Sequence, residues 1–257
     1  MIEDLKLIAR KVRETERALP HDYDRGQVLR QGADGTPTLN IDQVAEDAIV
    51  DFVKQRKLPY NILSEEAGFI DRKQKRTLVI DPIDGTQNSV AGVPFYSVSL
   101  AIGTKSMEDT QAGVVMNLVT GDTYHAEKGK GAFKNDQPIR ARPYHQYSSL
   151  ILVYIGKYAS IDDFNVARDA VRSRAFGCAS LEMCLVAEGK ADGYYMNCEV
   201  RERSVRVIDI AASALILREA GGDVVDLAGK RLDMRFDLED RQNILAYGDE
   251  KLKEAVL

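Results

Sequence analysis

The sequence is poor in cysteine and histidine, with three of each in 257 residues. Cys178, Cys184 and Cys198 are odd in number and form no C-x-x-C pair. A disulfide framework is therefore not expected, and a reducing compartment fits better. None of His21, His125 and His145 is near a cysteine, so a structural zinc site is not expected either. The cysteines read as small buried hydrophobes. Long apolar runs are also missing. The longest useful one, Leu150 to Ile155, falls far short of the ~20 residues that span a bilayer. The N-terminus interleaves charges with Ile2, Leu5, Ala9 and Val12 at helical spacing, and it lacks the apolar core of a signal peptide. A soluble cytoplasmic protein with no membrane partner is expected. No sign of charge dominates: 35 Lys and Arg against 40 Asp and Glu leave −5. That balance argues against a dedicated nucleic-acid binder. There is no internal repeat, flexible linker or long charge block. A chain of this length buries roughly 73% of its unfolded surface, enough for a core without staples.

The segments alternate in a readable order. Residues 2–19 predict an amphipathic helix stopped near Pro20. Residues 26–39 hold three glycines and a proline and predict a loop or hairpin edge. A second helix begins around Asp42, where an aspartate is commonly an N-cap. Asn61–Ser64 and Thr77–Ile80 predict buried strands, and Tyr96–Gly103, Ala112–Asn117, 122–126 and 131–133 extend the sheet. From Ser148 the pattern becomes strand and helix in turn: Leu150–Ile155, Asp162–Arg172, a short strand at 174–177, Ser180–Glu188, Ala191–Met196, Asp209–Ala220, 224–226 and 243–246. The first half is thus α+β and the second α/β. The expected division is an N-terminal subdomain 1–147 and a C-terminal subdomain 148–257, together one catalytic unit.

The informative residues are Ser64-Glu65-Glu66, Asp81-Pro82-Ile83-Asp84-Gly85-Thr86 and Val207-Ile208-Asp209. Two aspartates three apart at the end of an apolar strand would repel each other in a partly buried site. A divalent cation resolves that repulsion. Oxygen-only donors suit Mg²⁺ or Mn²⁺ rather than a soft metal. Gly85 permits close backbone approach, and a helix starting after Thr86 would turn free N–H groups toward a phosphate. An Asp-Gly turn with a capping Asp81 is the plain structural alternative. Phosphatases that form an aspartyl phosphate carry D-x-D-G-T near the N-terminus; here the spacing is D-x-x-D-G-T, starting at 81.

These motifs resemble the inositol monophosphatase family of Mg²⁺-dependent, Li⁺-sensitive phosphomonoesterases. S-E-E-x-G stands at 64–68, D-P-I-D-G-T-x-N at 81–88, and V-I-D-I-A-A-x-x-L-I-x-x-E-A-G-G at 207–222. Gly177–Leu181, Cys184–Ala187 and Gly189–Tyr194 match the family's middle region, so the likeness covers nearly the whole chain. Residues 32–38, ahead of Ile41-Asp42, resemble the archaeal branch, whose members hydrolyse both fructose 1,6-bisphosphate and inositol 1-phosphate. Ile208 replaces the tryptophan of the animal enzymes, and the 195–209 segment is longer and more basic, which argues against strict inositol specificity.

The resemblance implies a layered α/β/α/β/α sandwich, commonly a homodimer, acting on a small sugar or polyol phosphate. It implies metal ligation by Glu65, Asp81, Asp84 and Asp209 and by the Ile83 carbonyl, with two or three Mg²⁺ ions, Mn²⁺ being the other candidate. Adjacent side chains on an extended segment face opposite ways, so only one of Glu65 and Glu66 can face Asp81, and the resemblance implies that it is Glu65. Glu65 and Thr86 would orient the attacking water, and Asp42 would hydrogen-bond Thr86, a role compatible with capping. Asp84, Gly85, Thr86, Ala179 and Asp209, with Arg174 and Arg203 for a second phosphate, would bind substrate. A 3′-phosphonucleotide or NADP phosphatase is the alternative within the family. A partner-binding module is the alternative outside catalysis, and it would be expected to have lost carboxylates that this chain keeps.

Overall fold

The computed structural model describes residues 1–33 and 35–257. Asp34, within the 32–38 stretch noted above, lies outside the described residues. The chain opens with helix α1 (Ile2–Arg17), an antiparallel ribbon of β1 (Val28–Gln31) and β2 (Pro37–Leu39), and helix α2 (Asn40–Gln55). Strands β3 (Tyr60–Ser64), β4 (Gly68–Ile70) and β5 (Arg76–Asp84) lead into the short helix α3 (Thr86–Ala91). Strands β6 (Ser97–Gly103), β7 (Ala112–Asn117), β8 (Thr123–Glu127), β9 (Ala132–Lys134) and β10 (Gln137–Ile139) follow. The second half runs β11 (Leu150–Val153), α4 (Ile161–Asp169), β12 (Arg172–Arg174), α5 (Ala179–Ala187) and β13 (Gly193–Met196). It ends with α6 (Val207–Glu219), β14 (Asp223–Asp226), β15 (Ile244–Tyr247) and α7 (Glu250–Val256).

Eight strands form one sheet in the order β10-β9-β8-β7-β6-β5-β3-β4, and five form another in the order β12-β11-β13-β15-β14. Period-two alternation assigns each strand residue to a layer. From the first sheet, Ile62, Leu78, Ile80, Leu100, Ile102, Val114 and Met116 meet the apolar faces of α1 (Leu5, Ile8, Val12) and α2 (Ile41, Ile49, Val53). The intervening residues Leu63, Val79, Ala101 and Val115 point the other way, onto α5 and α6. The second sheet closes that middle layer with Leu152, Tyr194, Met196 and Ile244. Its outer face, Ile151, Val153, Tyr195 and Leu245, packs against residues of α4 and α7. The result is the expected five-layer α/β/α/β/α sandwich. Fully buried side chains such as Ile8, Ile49, Leu78 and Leu100 contribute roughly 1.5–3 kcal/mol each. Helix α6 is apolar nearly all round because it lies between two sheets.

Several boundaries differ from the sequence reading: the helix expected at Asp162–Arg172 ends at Asp169, the strand expected at Leu150–Ile155 ends at Val153, and two further differences bear on the site. The strand expected at 174–177 instead spans Arg172–Arg174. Beyond it, Phe176 gives its N–H to Glu182 and its carbonyl accepts from Asn88, so neither is left for a ladder. The Asp81–Asp84 stretch belongs to β5 rather than following it, with the β5–β6 register breaking between those two aspartates. Because β3 and β5 are parallel, with Ser64 opposite Ile80, their carboxyl ends deliver Glu65 and the 81–84 carboxylates to the same edge of the sheet.

Candidate active site

A cleft of about 840 Å³ opens at that edge. Its wall includes Asp42, Glu65, Asp81, Ile83, Asp84, Gly85, Thr86, Ala179, Arg203 and Asp209. Every site residue picked from the sequence except Arg174 is therefore brought to one cleft. Arg174 is exposed, its Nη1 donates to the neighbouring Ser173 carbonyl at 2.6 Å, and Ala175 and Phe176 stand on the wall instead.

Helix starts supply two of the carboxylates in the same way. Asp42 is the third residue of α2, and its Oδ2 accepts the Leu39 N–H at 3.1 Å. Asp209 is the third residue of α6, and its Oδ2 accepts the Arg206 N–H at 2.7 Å. In each, one oxygen secures the helix N-terminus and the other is directed elsewhere. Asp42 Oδ1 accepts from the Thr86 hydroxyl at 3.1 Å, and the same hydroxyl lies 2.9 Å from the Ile83 carbonyl. The expected Asp42–Thr86 contact is present beside the capping bond. Burial, aided by the charge of Glu65, pushes the Asp42 carboxyl up to about 7.

The central hexapeptide is held by its own turn and by α5. Asp81 accepts the Ile83 N–H at 3.1 Å. Asp84 Oδ2 accepts from the Ser180 N–H at 2.7 Å, from the Ser180 hydroxyl, and from the Cys178 thiol at 3.1 Å. Three donors on one oxygen fix the carboxylate. Burial, then the charges of Glu65, Asp84 and Asp209, holds Asp81 well above the usual carboxylate range. Burial also raises Asp84, against the opposing bonds from Ser180. Gly85, at φ +84°, caps α3 in the left-handed region.

Glu65 and Glu66 part company, though not for the reason the sequence suggested. Both follow β3 in a turn rather than on an extended strand. Glu66 is buried and hydrogen-bonded by Thr38, a structural role. Glu65 Oε1 meets Arg206 Nη1 at 2.7 Å, and Arg206 Nη2 meets Asp209 Oδ1 at 2.9 Å. Burial opposes the Arg206 charge, but Asp209 and Glu65 more than offset it and hold the guanidinium firmly protonated. Arg206 is not among the arginines picked from the sequence; its three-residue offset from Asp209 is the signal for that half of the bridge. Glu182 was missed altogether. Buried at the start of α5, it accepts the N–H groups of Phe176 and Cys178 and shapes the turn beside Asp84; burial pushes its carboxyl up to about 8.

The donor set is hard oxygen throughout, and its mutual repulsion calls for positive charge, so it suits a divalent cation. Among the described residues, no three such side chains are gathered closely enough to cage an ion as they stand. The sequence profile of the inositol monophosphatase family matches residues 3–257.

The chain belongs to the inositol monophosphatase family.

It is 34% identical over 249 residues to a fructose-1,6-bisphosphatase/inositol-1-monophosphatase of Methanothermobacter thermautotrophicus, covering 91% of this chain and 87% of that one. It is 34% identical to a bifunctional NADP phosphatase/NAD kinase of Methanococcus maripaludis, where all of this chain matches 48% of the relative's length. The crystal structure of an inositol monophosphatase–fructose 1,6-bisphosphatase superposes with a TM-score of 0.86 at 30% identity, covering 99% of this chain and 98% of the other. This family member is a phosphatase that hydrolyses phosphomonoesters, within a family of metal-dependent enzymes acting on small phosphorylated substrates. Among the described residues, no helix is long and apolar enough to cross a membrane.

Proposed function

We propose that this enzyme removes phosphate from inositol 1-phosphate and fructose 1,6-bisphosphate with Mg²⁺, as a cytoplasmic homodimer. The observation that carries this reading is the meeting of Glu65, Asp81, Asp84 and Asp209, from separate segments, on one cleft beside the Asp42–Thr86 pair. Asp81, Asp84, Asp209, Glu65 and the Ile83 carbonyl would hold the cation, two or three ions per site. When bound, the cation supplies Lewis-acid activation of water and neutralises charge on the phosphate and the leaving oxygen.

The chain's own residues do the rest. Glu65 and the Thr86 hydroxyl orient the attacking water. Asp42 keeps the Thr86 hydroxyl aimed by accepting its proton in a hydrogen bond. The N–H groups of Gly85 and Thr86, at the start of α3, take phosphate oxygens. Ser180 and Cys178 keep Asp84 from rotating. Displacement is in line and needs no covalent enzyme intermediate, so catalysis is positioning plus electrostatics. Ala179 would lie near the polyol. Arg203, stacked 5.3 Å over the Tyr158 ring on the cleft wall, suits a second phosphate through its planar fork. Arg174 would have to swing inward to join it.

The match to a relative named for NADP phosphatase activity favours one rival substrate. Phosphate release from inositol 1-phosphate, fructose 1,6-bisphosphate, NADP and a 3′-phosphonucleotide, compared at equal enzyme and Mg²⁺, separates the readings. Higher kcat/KM for the sugar and polyol esters is expected. Preference for either nucleotide would overturn the assignment.

A further inference from the structure

The acidic cluster contains a cation of its own that the proposed chemistry leaves without a role. Arg206 stands at the N-cap of α6 and is largely buried. Its Nη1 lies 2.7 Å from Glu65 Oε1, its Nη2 lies 2.9 Å from Asp209 Oδ1, and its Nε lies 3.3 Å from Asp209 Oδ2. One guanidinium thus bridges the turn after β3 and the start of α6, segments 141 residues apart. Both carboxylates belong to the ligand set proposed above, and this inference rests on that reading.

A carboxylate oxygen bound to Mg²⁺ sits about 2.0–2.1 Å from the ion. A guanidinium donating to the same oxygens would then be a like charge within a few ångströms, in a site where water screens little. The two cations compete for Glu65 and Asp209. In the structure both carboxylates are paired to the guanidinium. Arg is suited to this duty because its planar fork can hold two carboxylates at once without losing its proton.

We infer that Arg206 is a resident counter-cation, a positioning residue that keeps Glu65 and Asp209 assembled before the divalent ion arrives and releases Glu65 when it binds. Its charge stabilises the metal-free enzyme and weakens the affinity for the ion. The helix cap can persist, since it uses the Arg206 backbone N–H.

The test is calorimetric titration of Mg²⁺ into EDTA-stripped wild type and Arg206→Gln, with melting curves of both forms. The variant should bind Mg²⁺ roughly tenfold or more tightly, the size of one close charge coupling. Its metal-free form should melt lower than wild type, and saturating Mg²⁺ should close most of that gap. Equal or weaker affinity in the variant would overturn the inference while leaving the ligand set intact. Should Arg206→Gln fail to fold, the wild type answers the same question through the resonances of its guanidinium Nη–H groups, since it is Nη1 that faces Glu65. One strongly protected signal in the metal-free protein should lose protection on Mg²⁺ saturation, and an unchanged signal would overturn the inference. Absence of any Mg²⁺ binding by wild type would remove the ligand set and this inference with it.

Discussion

Gly85→Ala should damage stability and activity together, and Gly92→Ala should not. Both glycines flank α3 in the left-handed region, at φ +84° and +72°. An alanine there costs roughly 1–2 kcal/mol, which is the whole expected effect at Gly92, where an added Cβ would meet nothing within 4 Å. At Gly85 the same Cβ would lie 3.2 Å from Cys178 Cβ, 3.2 Å from the Gly177 carbonyl and 3.3 Å from the Phe95 carbonyl. Two of those three neighbours are backbone, so relief must come from movement of the hexapeptide or of the turn that carries Cys178. Crowding of this kind adds roughly 1–3 kcal/mol. The turn that would move also positions Asp84. Since a 1 Å misplacement can cost about 10²-fold in rate, a shift of a few tenths of an ångström should lower kcat/KM roughly tenfold. Urea melts and phosphate-release kinetics on both variants check this. Equal stability and full activity in the two variants would refute the geometric reasoning.

Other outcomes follow from the same structure. Arg142→Ala should cost about 2–3 kcal/mol in urea, because Asp192 is almost fully buried and paired to Arg142 through two bonds of 2.8 and 2.6 Å; the partial exposure of Arg142 and the Leu150 N–H on Asp192 keep the loss below the full penalty for a buried broken pair. A loss under about 0.5 kcal/mol would show the pair to be ornamental. Burial, then the Lys6 charge, holds the His125 imidazole below its ordinary 6.5 despite its bond to Asp136. The folded state therefore prefers the neutral ring, so its contribution is complete above pH 6.5 and is lost as pH falls through the folded value. His125→Gln should flatten the stability decline between pH 7 and 5, and an unchanged slope would contradict this. Mg²⁺ at about 100 times its dissociation constant should stabilise the fold by roughly 2.7 kcal/mol, read as a rise in Tm that EDTA reverses; no shift would argue against a cation in the cleft.

Much of this architecture was written locally. Apolar periodicity located both N-terminal helices, and short apolar runs located the strands that become β3 and β5 and the helix around Asp209. The carboxylate motifs were legible because each pairs an unusual acidic spacing with a strand end or helix start. Asp42 shows how one residue can satisfy both readings, since a carboxylate has two oxygens to divide between cap and Thr86. What stayed hidden depends on contacts distant in sequence. Nothing around residue 206 announces that its guanidinium reaches Glu65, because that meeting exists only once α6 is inserted between the sheets. Glu182 looks like a surface residue of a short helix, yet two layers close over it. The strand expected at 174–177 failed partly for a similar reason: the Phe176 carbonyl is claimed by Asn88, 88 residues away, while Glu182 takes its N–H.

The most direct test of the carboxylate-centred account is phosphate release from inositol 1-phosphate and fructose 1,6-bisphosphate by wild type and Asp84→Asn, with Mg²⁺ and with EDTA. Ser180 and Cys178 should still hold the amide in place, so the variant isolates the missing charge. Release that requires Mg²⁺ in the wild type and falls by about two orders of magnitude or more in a folded Asp84→Asn protein is the predicted result. Undiminished release by the variant, or release by wild type in EDTA, would contradict it.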